Sequence, residues 1–116
     1  MVLINGRDFL TDLVLGAEVA ARLNLSEAAY NGFDPTGICV IFGVASAASR
    51  ILGLGKDETW NALALSFNRC GDSFQNNIDG SLGVRFVQGW VSHGAVICAC
   101  LPSRGITGPN ITEHRV

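Results

Sequence analysis

Side chains that do chemistry are scarce in this chain. Its 116 residues include one lysine, Lys56, and two histidines, His93 and His114. No His-Glu-x-x-His or similar spacing occurs, and two histidines cannot fill a metal site without carboxylates beside them. Ser92 and His93 are adjacent, and neighbours on a helix point about 100° apart, so they make no nucleophile pair. Gly53-Leu54-Gly55 lacks the preceding strand and the Walker pattern that a phosphate loop needs. The residues alone therefore predict no complete active site, no metal and no cofactor.

Charge is also sparse. Only 16% of residues are charged, the net charge is −2 and the signs are scattered, which excludes the basic footprint of a nucleic-acid binder. The N-terminal run Met1 to Ile4 is too short for a signal h-region and meets charge at Arg7 and Asp8. The uncharged run Pro35 to Ser49 is shorter than the ~20 apolar residues of a membrane span and is rich in Gly, Ser and Ala. No membrane partner is expected, and a cytoplasmic location is. Four cysteines are present, Cys39, Cys70, Cys98 and Cys100. The last two stand about 200° apart on a helix and cannot easily share a metal. All four read as small buried hydrophobes in a reducing compartment.

What the chain does have is apolar helix. Nothing alternates with period two for long enough to demand a strand, and no internal repeat occurs, so the class is all-α. The expected architecture is an antiparallel array of about four helices in a single helical domain over residues 1–116. In the first helix, Arg7 to Asn24, residues Leu10, Leu13, Val14, Ala17 and Ala21 form one apolar face, and Glu18 and Arg22 stand at i, i+4 in the favourable order. The second, near Thr36 to Gly53, is apolar on every side and so is expected to be buried, with Gly37, Gly43, Ala45 and Ser46 admitting close backbones. Asp57 or a neighbour caps the third, which carries Trp60, Leu63, Ala64 and Phe67 on one face and stops at Arg69-Cys70-Gly71. Asp72 to Gly80 is polar and turn-forming, the longest expected loop. The fourth helix begins between Ser81 and Val84 and ends before Gly105, with Pro102 removing a bond in its last turn.

A series of short motifs runs through these helices in order. Asn5 to Leu10 leads to Gly16-Ala-Glu-Val19 and Arg22. Gly32-Phe-Asp-Pro-Thr36 follows, then Phe42-Gly43, Ala47-Ala48, Leu52-Gly53-Leu54 and the Trp60 to Leu65 helix. Asp79-Gly80, Gly89-Trp90, His93-Gly94 and Gly105-Ile-Thr-Gly-Pro109 complete it. Over residues 5 to 109 this resembles the MmgE/PrpD family, which includes 2-methylcitrate dehydratases and cis-aconitate decarboxylases. The resemblance implies part of that family's helical domain, with an N-terminal helical stretch and a lid domain absent, and a lyase or isomerase chemistry on small di- or tricarboxylic acids. Two of the family's site positions fall inside the segment, and both differ. Asp34 stands at the histidine of G-F-H-P-T, and Val84 at the lysine of K-R-L-H-x-G-x-A-A. Arg85 is adjacent to the second, but a guanidinium stays protonated and is no general base. Some relatives resemble it with a V/I-R-x-x-Q-G-[WF] run, so Val84 marks either a subfamily or a decayed site.

Two functional readings follow. In one, the chain is a truncated helical module, non-catalytic alone, which self-associates as a homodimer through apolar faces that two other helices cannot cover. In the other, Arg85, Asp34 and His93 are what this chain contributes to a binding site for a small carboxylic acid, completed elsewhere. Arg85 is then either an anion anchor near a helix N-terminus or the partner of Asp79 or another acid. His93, on the Trp90/Ile97 side of the fourth helix, is a structural or rim residue or a site residue. His114 is expected to have no role.

Overall fold

The computed structural model describes residues 3–24 and 30–110, which leaves His114 outside the described residues. Within them the protein is all-α, with helices α1 (Gly6–Leu23), α2 (Ile41–Ile51), α3 (Lys56–Arg69), α4 (Gln75–Ile78) and α5 (Gly83–Cys100). A π-helical turn, Thr36–Val40, leads into α2, and a 3-10 turn, Pro102–Arg104, follows α5.

The helix ends follow from local chemistry. Asn5 caps α1 by accepting the Asp8 N–H at 2.8 Å, and Glu18 and Arg22 form the expected pair at 2.6 Å. After α2, Gly53 turns left-handed at φ 69° and the Leu54 N–H closes back on the Ser49 carbonyl at 3.0 Å, satisfying an end carbonyl. Of Asp57 and its neighbours, the one that caps α3 is Gly55. Glu58 Oε2 accepts the Gly55 N–H, and Asp57 lies one step inside the first turn, against the positive end of the helix. The stretch from Asp72 to Gly80 is not all loop, because Gln75–Ile78 closes one helical turn, α4. Pro102 ends α5 as expected and opens the 3-10 turn, which Gly105 leaves in the left-handed region.

Small residues bring the helices together. At the α1/α2 crossing a Cβ on Gly16 would stand 2.9 Å from the Gly43 carbonyl oxygen, and a Cβ on Gly43 would collide with the Gly16 carbonyl. Ala20 and Ala47 flank the crossing. Asp12 of α1 meets Arg50 of α2 at 2.9 Å at one end, and Cys39 Sγ donates to the Leu23 carbonyl at the other. Residue numbers rise on α1 as they fall on α2, so this pair is antiparallel. The core itself is Ile41 and Ala45 of the α2 segment against Val87, Val91 and Ala95 of α5, with Leu63 and Cys70 packed on it.

The apolar face of α1 forms, but it points outward. Leu10 is 62% and Val14 69% exposed, whereas the polar Asp12 is 3% exposed and faces α2 together with Gly16. Trp60 and Phe67 of α3 are also exposed, and they border a shallow apolar depression with Leu23, Phe42 and Leu63. A second apolar groove of about 400 Å³ runs between α1 and α2, floored by Gly16, Gly43 and Ala47 and walled by Leu13, Val44 and Val96. Gly83–Arg104 is the one described stretch long and apolar enough to cross a membrane by length and composition, with a mean hydropathy of 1.3 over an 18-residue window. Its buried side is committed to α2 through Val87, Val91 and Ala95.

Two glycine substitutions test this packing in opposite directions. Gly43→Ala places a methyl against the Gly16 carbonyl and should destabilise the protein by roughly 1–3 kcal/mol. Gly89→Ala, in α5 with nothing within 4 Å of the new methyl, should stabilise it by roughly 0.5–1 kcal/mol. Urea unfolding followed by circular dichroism reads both. Equal effects of the two changes would refute the close α1/α2 crossing.

Candidate functional site

The two segments 32–37 and 71–74 lie backbone against backbone. Asp34 N–H donates to the Asp72 carbonyl, Phe74 N–H to the Gly32 carbonyl, both at 2.9 Å, and Gly71 N–H to the Gly37 carbonyl at 3.1 Å. Gly37 must be glycine, because a Cβ there would overlap the Gly71 carbonyl. This join holds the start of the π-helical turn beside α4 and the first turn of α5.

A cleft of about 270 Å³ opens there, lined by Asp34, Thr36, Phe74, Asn77, Val84 and Arg85 among others. Three of the residues singled out from sequence, Asp34, Val84 and Arg85, therefore share one cleft although they are 50 residues apart in the chain. Their states differ. Asp34 is 4% exposed, and both its carboxylate oxygens are engaged: Oδ1 accepts the Thr36 N–H and Oδ2 the Asn77 Nδ2, each at 2.8 Å. The first contact is an Asx turn that starts the π-helical segment; the second ties α4 down. Arg85 is exposed, and neither Asp79 nor any other described acid pairs with it, which corrects that expectation. Asp79 Oδ1 instead accepts from Gln75 Nε2 at 2.7 Å. No side chain caps the first turn of α5.

His93 is not in this cleft. Its ring packs on Trp90 with centroids 6.4 Å apart, on the outer side of α5, and Trp90 carries the Arg69 guanidinium 5.0 Å from its ring centre. A neighbouring polar cleft of about 290 Å³ includes Asn68, Arg69, Cys70, Asp72 and Trp90. Asp72 is the residue that sequence reasoning missed. It sits at φ 104°, a backbone conformation L side chains rarely adopt, and burial together with the nearby Asp34 charge raises its carboxyl above the usual aspartate range, against a smaller lowering by Arg69. No motif announces it, since its position comes from the backbone join and not from a spacing.

The cysteines carry no visible chemistry. Cys39 and Cys98 are buried as expected, but Cys70 is half-buried and Cys100 is exposed at the end of α5, so not all four are core residues. Burial pushes the Cys70 thiol up, keeping it protonated near neutral pH.

A family model described as MmgE/PrpD N-terminal domain matches residues 2–115. The chain belongs to the MmgE/PrpD family. No curated protein matches it. The cleft brings Asp34 and Val84 of this MmgE/PrpD chain together, and no lysine or histidine lines it.

The raised Asp72 carboxyl has a definite pH signature. The folded state holds this proton more tightly than the unfolded chain, so the stability Asp72 lends is present at low pH and is lost as pH rises through its folded value. Asp72→Asn removes the charge and keeps a residue that tolerates left-handed backbone. The variant should gain melting temperature over the parent at about pH 7 and lose that advantage towards about pH 4. Thermal melts at both pH values check this, and an advantage that grows on acidification contradicts it.

Proposed function

We propose that the chain is an MmgE/PrpD-type helical module that does not catalyse on its own and that associates with itself. The observation that carries the first half is the state of the cleft. A dehydratase or decarboxylase step needs a group that can take and give a proton beside the substrate. Asp34 spends both oxygens on structural hydrogen bonds, Val84 has nothing to transfer, and a guanidinium such as that of Arg85 is no general base. The second half is supported by the large apolar side chains left outside, Leu10, Val14, Phe86 and Trp90 among them. Four free cysteines suit a reducing compartment such as the cytoplasm.

A second reading keeps the family chemistry, a lyase or isomerase acting on a small di- or tricarboxylic acid, with other segments or a partner chain completing the site. What favours it is Arg85, unpaired among the described residues at the rim of the cleft and close to the uncapped first turn of α5. A guanidinium at the positive end of a helix suits a carboxylate.

Two measurements separate the readings. The purified chain should not turn over 2-methylcitrate or cis-aconitate; turnover abolished by Arg85→Met or Asp34→Asn would overturn the non-catalytic proposal. Titration with citrate, followed by amide chemical shifts, should move residues 80 to 88 if the anion site exists, and Arg85→Met should remove the response. A spectrum unmoved by citrate rejects the second reading for this chain.

A further inference from the structure

The outward side of α1 has a pattern of its own. Arg7, Leu10, Val14, Ala17 and Ala21 are spaced 3, 4, 3 and 4 residues apart, which is the seam of a two-helix coiled coil and not merely an amphipathic face. All five are exposed. They are exposed because α1 docks on α2 through its opposite side, where Asp12 and Gly16 are buried. Arg7, Leu10, Thr11 and Val14 border an open concavity along this seam. Glu18 stands beside it, one residue after Ala17.

The seam is self-complementary when one copy is reversed. Laid antiparallel about a two-fold axis near the level of residue 12, Val14 falls against Leu10 of the second copy, and Arg7 falls against the small Ala17. Ala17 leaves room for the Arg7 guanidinium to reach the adjacent Glu18 of the other chain. The two-fold repeats each contact. A parallel arrangement would instead set Arg7 against Arg7. Among the described residues Arg7 has no ion-pair partner within its own chain, while Glu18 already holds Arg22 at 2.6 Å and can share its second oxygen. Opposite charges at the two ends of an apolar seam choose both the partner and its direction.

We infer that the occupant of the outward α1 face is α1 of a second copy, packed antiparallel, with Arg7 paired to Glu18 across the interface at both ends. This rests on the self-association proposed above and names its surface. α1 spans about 27 Å, so a single helix pair falls short of the roughly 800 Å² per partner of a standard interface. The dimer should therefore be of micromolar strength and sensitive to salt.

Charge reversal on the intact chain tests this by sedimentation equilibrium under reducing conditions, with circular dichroism confirming helix content. Arg7→Glu and Glu18→Arg, each alone, bring like charges together and should weaken the dimer about tenfold. The double reversal restores the pair with its signs exchanged and should recover most of the loss. Val14→Lys should abolish association, and Ile97→Lys on α5 should leave it unchanged. A dimer indifferent to the α1 variants overturns this interface while self-association stands. An unmodified chain that stays at 12.3 kDa throughout removes both. If the double reversal is no better than the singles, the Arg7–Glu18 contact is refuted.

Discussion

The contact of Gly16 with Gly43 sets the terms for the rest of the molecule. Two helices can lie with carbonyl against Cα only where neither has a side chain, and that point decides which side of α1 faces inward. Once it is fixed, Asp12 is carried into the interface four residues away, and it must find a cation there. Arg50 supplies one from α2, with its Nε 2.9 Å from Asp12 Oδ1, although the N–H is not aimed at that oxygen. Burying a carboxylate is costly, and the half-exposed guanidinium relieves the cost because water still reaches its outer side. The pair adds little net attraction of its own. It does prevent α1 from sliding along α2, since any other register leaves a buried charge alone.

The same close approach explains which parts of the fold were legible in the sequence. Helix positions and ends were, because caps, glycines and Pro102 act within a turn or two of where they stand. The apolar face of α1 was legible as a face, but its direction was not. Hydrophobic spacing says that Leu10 and Val14 share a side, and only the Gly16–Gly43 packing says that this side is the outer one. The α4 turn escaped notice because four residues, three of them polar, carry no period. Its stability comes partly from Asn77 reaching Asp34, 43 residues back in the chain.

The candidate site divides in the same way. That Asp34 and Val84 occupy related positions was carried by motif resemblance, and the cleft brings them together. That Asp34 is a structural anchor, with no free oxygen, depends on hydrogen bonds that no spacing reveals. Asp72 is placed by main-chain pairing between 32–37 and 71–74, which requires glycine at 37 and leaves no spacing signal at 72. Asp34, buried and hydrogen-bonded through both oxygens, is itself part of what holds the cleft's shape.

The two tryptophans are unevenly placed for anyone watching this protein unfold. Trp60 lies on α3 and Trp90 on α5, where Arg69 covers its ring, and α1 contains neither tryptophan nor tyrosine. Indole emission therefore reports chiefly on the α3/α5 side, since α1 comes near an indole only at its last residue, Leu23, beside Trp60. Were the body of α1 to peel from α2 first, ellipticity would fall more than fluorescence changed, and the two melting curves would separate. Coincident curves would mean that the glycine crossing and the aromatic side fail together, as one cooperative unit.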